Sequence, residues 1–128
     1  VATEGIGIDL VDVKRFDAAL QRRPRLAQRL FTDNERRDAN ERPERLAARF
    51  AAKEAVLKTF GAGLGAAPWR SIEVTLSESG APSVVLHAPA TGLAKLAGVT
   101  RLHLSMTHTS ELAAAFVIGT SEEELGAR

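Results

Sequence analysis

Cysteine and tyrosine are absent from this 128-residue chain, and Trp69 is its single tryptophan. The missing cysteine excludes disulfides, zinc-thiolate centres and thiol catalysis, and is compatible with a reducing compartment. The scarcity of aromatics removes the stacking platforms that single-stranded nucleic acid requires. No apolar run approaches the roughly 20 residues of a membrane span. There is no Gly-x-Ser-x-Gly elbow, and Gly61-Ala-Gly-Leu-Gly65 follows a helical pattern where phosphate-binding loops precede one. Val1 carries no basic flank or signal-like core, and the missing methionine suggests a processed or trimmed end. The expectation is a soluble, cytoplasmic domain without nucleic-acid or membrane partners.

What is present is an ordinary globular balance, 45% hydrophobic and 26% charged, enough for one domain with its own core. The net charge of +1 hides an asymmetry. Arg15, Arg22, Arg23, Arg25, Arg29, Arg36 and Arg37 crowd the first third, and Glu122-Glu123-Glu124 make an acidic tail. Such a segment either attracts an acidic partner (nucleic acid, phosphate ligand or acidic protein) or forms a solvated face.

Residues 5–13 alternate and are rich in β-branched side chains, which predicts a strand. Ile6, Ile8 and Leu10 point to one side; Asp9 shares the other with Val11 and Val13, an odd place for a charge without a partner. Helices are predicted near 14–22 and 25–30, with Pro24 between them. Thr32 and Glu35 have capping-box spacing. Arg42-Pro43-Glu44 opens a long helix ending at Gly61. Strands are predicted at Trp69–Leu76 and Pro82–Ala88 as a hairpin, a short helix at 90–98 closed by Gly98, and further strands at Arg101–Thr107 and Leu112–Thr120. The fold class is α+β: a single compact domain spanning 1–128, with an antiparallel-type sheet packed against the long central helix.

The long helix carries the chemistry. Leu46, Phe50 and Leu57 form its apolar stripe, while Ala47, Ala51, Glu54 and Lys58 run along the edge, where small alanines leave room for something to approach. Glu54 and Lys58 are one turn apart: an ordinary ion pair, or a carboxylate and an ammonium facing an anionic ligand held through a metal ion. Asp9 with Glu54 would make an oxygen-only site suited to Mg²⁺ shared with phosphate. His103 and His108 diverge along their strand, so they do not make a metal set. His108 reads either as a hydrogen-bonded core histidine or as a residue at a site mouth, and His87 has no evident partner.

Gly5-Ile-Gly-Ile-Asp9-Leu-Val-Asp12-Val-Lys-Arg15-Phe16, Leu46-Ala-Ala-Arg49-Phe-Ala-Ala-Lys53-Glu54-Ala55 and Leu104-Ser-Met-Thr-His108-Thr109 together resemble holo-acyl-carrier-protein synthase, the small 4′-phosphopantetheinyl transferases. The resemblance extends through Trp69, Ile72–Val74, Gly80–Pro82 and Ala113–Val117, nearly the whole chain in order. It implies transfer of 4′-phosphopantetheine from coenzyme A to a serine of apo acyl carrier protein, releasing 3′,5′-ADP. It implies that Asp9 and Glu54 hold Mg²⁺ and that Lys58 lies against the coenzyme A phosphates. Arg49, Lys53, the loop containing Gly61, Gly63 and Gly65, and His108 match positions around the nucleotide. Arg15 matches a residue that docks the acidic helix of the carrier, and Arg22 and Arg25 continue that face. Glu54 is the candidate base for the serine proton. Family members of this size are homotrimers with sites between subunits. Ala48 and Ala62 depart from the family's usual glycine and threonine, and residues 21–44 match poorly. Two other readings are a non-catalytic module that binds a carrier protein, and one lobe of a larger two-lobed transferase.

Overall fold

The computed structural model describes residues 1–122; of the acidic tail, Glu123 and Glu124 lie outside them. Strand β1 (Ala2–Asp12) leads directly into helix α1 (Val13–Arg22), so the expected strand starts earlier and gives up Val13. The switch is local: Asp12 is the N-cap, its Oδ1 accepting from the Arg15 backbone N–H at 2.9 Å. Helices α2 (Leu26–Leu30) and α3 (Asp33–Ala39) follow, and the Thr32–Glu35 capping box is present in full. Helix α4 (Pro43–Thr59) opens on its proline and closes before Gly61. Then come β2 (Ile72–Leu76), β3 (Pro82–Leu86), α5 (Ala90–Leu96), β4 (Arg101–His108) and β5 (Leu112–Ser121). Trp69–Ser71, expected as strand, is a 3-10 turn entered from Pro68.

The strands form two sheets where one was expected. Antiparallel β1, β5 and β4 lie in that order, and β2 pairs with β3 alone. Helix α4 packs across the inner face of the three-stranded sheet, and its alanines Ala47, Ala51, Ala52 and Ala55 are wholly buried. The room they leave is therefore taken by the sheet rather than by a ligand. A Cβ on Gly7 would stand 1.9 Å from the Ala55 carbonyl oxygen, and one on Gly5 would stand 2.1 Å from that of Thr59. Backbone meets backbone here, which only glycine permits. The outer face is apolar and uncovered in the single chain, with Ile6, Ile8 and Leu10 of β1 beside Leu112 and Phe116 of β5.

Lys53, expected at the nucleotide, is instead an interior residue. Its side chain is 0% exposed, and its ammonium donates to Glu35 Oε1 at 2.8 Å, to the Trp69 carbonyl at 3.0 Å, and to the Ile72 carbonyl. Three donors and three acceptors leave nothing for a ligand. Glu35 Oε1 also accepts from Thr32 N and Oε2 from Val74 N, both at 2.9 Å, while the Thr32 hydroxyl donates to Glu73 at 2.6 Å. Glu73 reaches His87 at 3.1 Å, the partner that the sequence did not reveal. This network ties α3 and α4 to the β2–β3 hairpin.

Two outcomes follow for chemical unfolding. Gly7→Ala is expected to lose about 3 kcal/mol or more, because the obstacle is helix backbone, whereas Gly63→Ala, with open space around it, stays within about 1 kcal/mol; equal midpoints would refute the contact. Lys53→Met strands the Glu35 carboxylate and is expected to cost about 3–5 kcal/mol, with part recovered on adding Glu35→Gln.

Candidate functional site

Asp9 belongs to the inner face of β1, two residues beyond Gly7, so the close approach that glycine allows also brings its carboxylate to α4. There Lys58 Nζ donates to Asp9 Oδ1 at 2.9 Å and to the Ile8 carbonyl at 3.0 Å. Lys58 is half exposed, whereas the Asp9 side chain is 11% exposed. Asp9 Oδ2 is buried and accepts no hydrogen bond from the described residues. Glu54 flanks the same carboxylate. Burial first, then the nearby charge of Asp9, push the Glu54 carboxyl up to about 7, against the opposing pull of Lys58. Hydrogen bonding to Asp9, and then its charge, hold the Lys58 ammonium above its ordinary value.

Two crowded carboxylates, one with an orphaned buried oxygen, fit a hard divalent cation. No cluster of three or more metal-ligating side chains occurs among the described residues. Asp9 and Glu54 would supply two oxygen ligands to such an ion, the remainder of its shell being left to water and phosphate oxygens. The ordinary Glu54–Lys58 ion pair is not what forms: the ammonium bonds to Asp9.

A shallow cleft of about 280 Å³ beside Glu54 is lined by Leu10, Val11, Asp12, Arg15, Phe16 and Phe50. This places Arg15 at the mouth of the carboxylate site. Arg22 and Arg25 are exposed farther along, at the end of α1 and the start of α2.

Arg49 and His108 lie elsewhere. They line a cleft of about 390 Å³ with Asp38, Arg45, Met106 and the hairpin residues Leu76, Gly80 and Pro82. Arg49 is 3% exposed; one Nη donates to the Arg45 carbonyl at 3.1 Å, and its Nε has no partner among the described residues. Burial lowers its guanidinium from the ordinary value, with Glu35 and Asp38 opposing. His108 is exposed at the end of β4 and lines this cleft, so it is not a core histidine. Arg45 was not singled out from the sequence, although its position four residues before Arg49 puts it on the same flank of the helix.

The two groups are on opposite sides of α4. At about 100° per residue, Arg45 and Arg49 stand roughly 140–180° around the helix from Glu54 and Lys58. The same separation appears in the sheet, since Asp9 is on the β1 edge and His108 on the β4 edge, with β5 between them. Gly61, Gly63 and Gly65 form an exposed turn after α4, with Gly61 and Gly65 at positive φ, beyond the Lys58 end of the helix.

A family model described as the 4′-phosphopantetheinyl transferase superfamily matches residues 5–117. A relative from Frankia alni, named holo-[acyl-carrier-protein] synthase, is 47% identical over 121 residues, covering 94% of this chain and 100% of its own. Among solved structures, a holo-[acyl-carrier-protein] synthase from Neisseria meningitidis superposes with a TM-score of 0.82 at 30% identity, covering 93% of this chain and 99% of that one. A holo-(acyl-carrier-protein) synthase from Bacillus anthracis, in complex with CoA (3′,5′-ADP), gives 0.77 at 31% identity, covering 95% and 100%.

The carboxylate pair makes a pH prediction. Because the folded Glu54 carboxyl titrates near 7, above its ordinary 4.5, the folded chain holds a proton that the unfolded chain has released. Metal-free stability should therefore fall as pH rises from about 4.5 to 7. Thermal melts across that range should show a decline that is reduced in Glu54→Gln; an identical slope in the variant would mean that the Glu54 carboxyl is not raised in the folded chain.

Proposed function

The chain belongs to the 4′-phosphopantetheinyl transferase superfamily, among its holo-[acyl-carrier-protein] synthases, and from this we propose that it moves 4′-phosphopantetheine from coenzyme A to a serine of apo acyl carrier protein, releasing 3′,5′-ADP. The observation that carries the reading is the meeting of Asp9, Glu54 and Lys58 at one edge of the sheet, in a chain 31% identical to a synthase in complex with CoA (3′,5′-ADP).

In this reading the serine hydroxyl oxygen bonds to the β-phosphorus of coenzyme A, while the bond from that phosphorus to the bridging oxygen breaks and its electron pair leaves with 3′,5′-ADP. Negative charge accumulates on the phosphoryl oxygens and the leaving group. Lys58, on a half-exposed stem, swings from Asp9 toward those oxygens and neutralises them. Asp9 and Glu54 would hold Mg²⁺, which would supply Lewis-acid stabilisation of the same charge. Glu54 is the base that takes the serine proton, directly or through a water. Arg49, with its free Nε, Arg45 and His108 form an anion-binding cleft for the nucleotide end, and the exposed Gly61–Gly65 turn is close enough to Lys58 in sequence to cover the diphosphate. Arg15 and the exposed arginines beyond it receive the acidic surface of the carrier. We place the reaction in the cytoplasm.

The opposed half-sites support a homotrimer. The carboxylate edge and the arginine cleft lie on opposite flanks of α4 within one chain. Self-association through the uncovered face of Ile6, Ile8, Leu10, Leu112 and Phe116 would lay one subunit's arginine cleft against the next subunit's carboxylates.

Intact mass spectrometry of apo acyl carrier protein incubated with this protein, coenzyme A and Mg²⁺ should show gain of one phosphopantetheine. The gain should vanish in EDTA and in Asp9→Ala, and Lys58→Ala should slow it about 100-fold. Coenzyme A binding without transfer to any carrier would favour a binding module instead. Light scattering should report a trimer, and Ile8→Lys should give an inactive monomer; a fully active monomeric wild type would refute the shared site.

A further inference from the structure

The arginine cleft is not uniformly basic. Asp38, in the last turn of α3, lines it together with Arg45, Arg49 and His108. Arg49 lies at the buried floor, with an Nε that has no partner among the described residues, whereas Asp38 is exposed at the rim. The Asp38 carboxylate forms no ion pair with either arginine, or with any other described residue. Its charge is felt at Arg49, where it opposes the effect of burial, yet its oxygens stay open to a donor. A carboxylate weakens a cleft meant for phosphate alone, because like charges repel. Cations and a carboxylate side by side suit a ligand end that carries both negative charge and a neutral N–H donor.

The position of that carboxylate is fixed from below. Glu35, one turn before Asp38, accepts from Lys53 Nζ at 2.8 Å and from the Val74 N–H at 2.9 Å. Thr32, at the head of the same helix, donates to Glu73 of β2 at 2.6 Å. One network thus holds α3 and the β2–β3 hairpin at a set distance, and Asp38 is in place before any ligand arrives. Leu76 and Pro82 of the hairpin and Met106 of β4 line the same cleft with apolar surface, which suits the flat faces of a heterocyclic base. A phosphate drawn to Arg45 and Arg49 keeps its ribose near the floor. The base, one link farther out, brings its edge to the rim.

We propose that Asp38 is a specificity-determining residue that accepts a hydrogen bond from the exocyclic amine of the coenzyme A base. The proposal rests on the coenzyme A reading above, and adds to it the group that reads the base rather than the phosphates. An ionised carboxylate only accepts, so it selects an amino base and disfavours one that presents a carbonyl oxygen at the same place.

The test is steady-state transfer from coenzyme A and from its hypoxanthine analogue, in which a ring carbonyl replaces the adenine amine, by wild type, Asp38→Ala and Asp38→Asn. The wild-type KM should be about tenfold lower for coenzyme A than for the analogue. Asp38→Ala should bring the two within about twofold, chiefly by raising the coenzyme A KM, with kcat and the carrier KM within about twofold of wild type. Asp38→Asn, whose amide can also donate, should lower the KM for the analogue below its wild-type value. A wild type without preference, or a preference that survives Asp38→Ala, would overturn the proposal. An equal loss for both compounds would assign Asp38 to a ribose hydroxyl or to holding Arg49, and an equal gain would make it a repulsive charge only; either result overturns it too. If the wild type transfers nothing, calorimetric titration of the same two compounds into wild type and Asp38→Ala decides the matter. Failure of coenzyme A itself to bind would defeat the coenzyme A reading and the proposal together, whereas binding without a preference that depends on Asp38 would defeat the proposal alone.

Discussion

The backbone contact between β1 and α4 is the constraint on which the site depends. A side chain at Gly5 or Gly7 would collide with the carbonyls of Thr59 and Ala55, so the helix settles at the sheet only because both partners give up side-chain volume: glycine on the strand, alanine on the helix. Gly119 of β5 extends the requirement, since a Cβ there would lie 2.8 Å from the Thr59 methyl. Asp9 follows two residues after Gly7 on the same face, and Glu54 precedes Ala55 on the helix. The spacing that closes the core is thus also the spacing that sets two carboxylates and an ammonium against one another.

A second, polar constraint fixes the other half of the molecule. The buried Lys53–Glu35 pair is satisfied on every side by backbone and by the capping box, which is the condition under which a buried ion pair is tolerable. It anchors the start of β2 to α4, and Glu73, held below its ordinary carboxylate range by Thr32 and His87 against the opposing effect of burial, extends the anchor across the hairpin. The hairpin in turn supplies the Leu76, Gly80 and Pro82 wall of the arginine cleft. A lysine embedded in the most chemistry-laden segment of the chain therefore shapes the arginine cleft without facing it.

The carboxylate pair and the arginine cleft lie one on each flank of α4. In the proposed trimer the apolar outer face of the sheet would join them between copies. The division suits a small chain: a single helix can present opposite charges on opposite flanks, and in the proposed trimer association would bring one subunit's cations to the next subunit's carboxylates.

Much of this was legible in the sequence. The element order, the Thr32 capping box, the proline start of α4 and the oddity of a carboxylate on the inner face of β1 follow from local periodicity and capping chemistry, which act over a few residues. The resemblance carried by the Gly5–Asp9 and Arg49–Glu54 segments identified the family. Three features were not legible. Lys53 reads as a surface cation until Glu35, Trp69 and Ile72 are brought around it from 18, 16 and 19 residues away. His87 gains Glu73 only across the hairpin, and the hairpin stands apart from the main sheet. The alanine edge of α4 looks like space for a ligand until the sheet fills it. The sequence by itself determined which residues could bear charge, bend the chain or lie close to a neighbour, because those are properties of single side chains and short spacings. Only the tertiary structure decided which charges are buried in pairs and which remain free to act, because desolvation and hydrogen bonding depend on what distant segments place around each group.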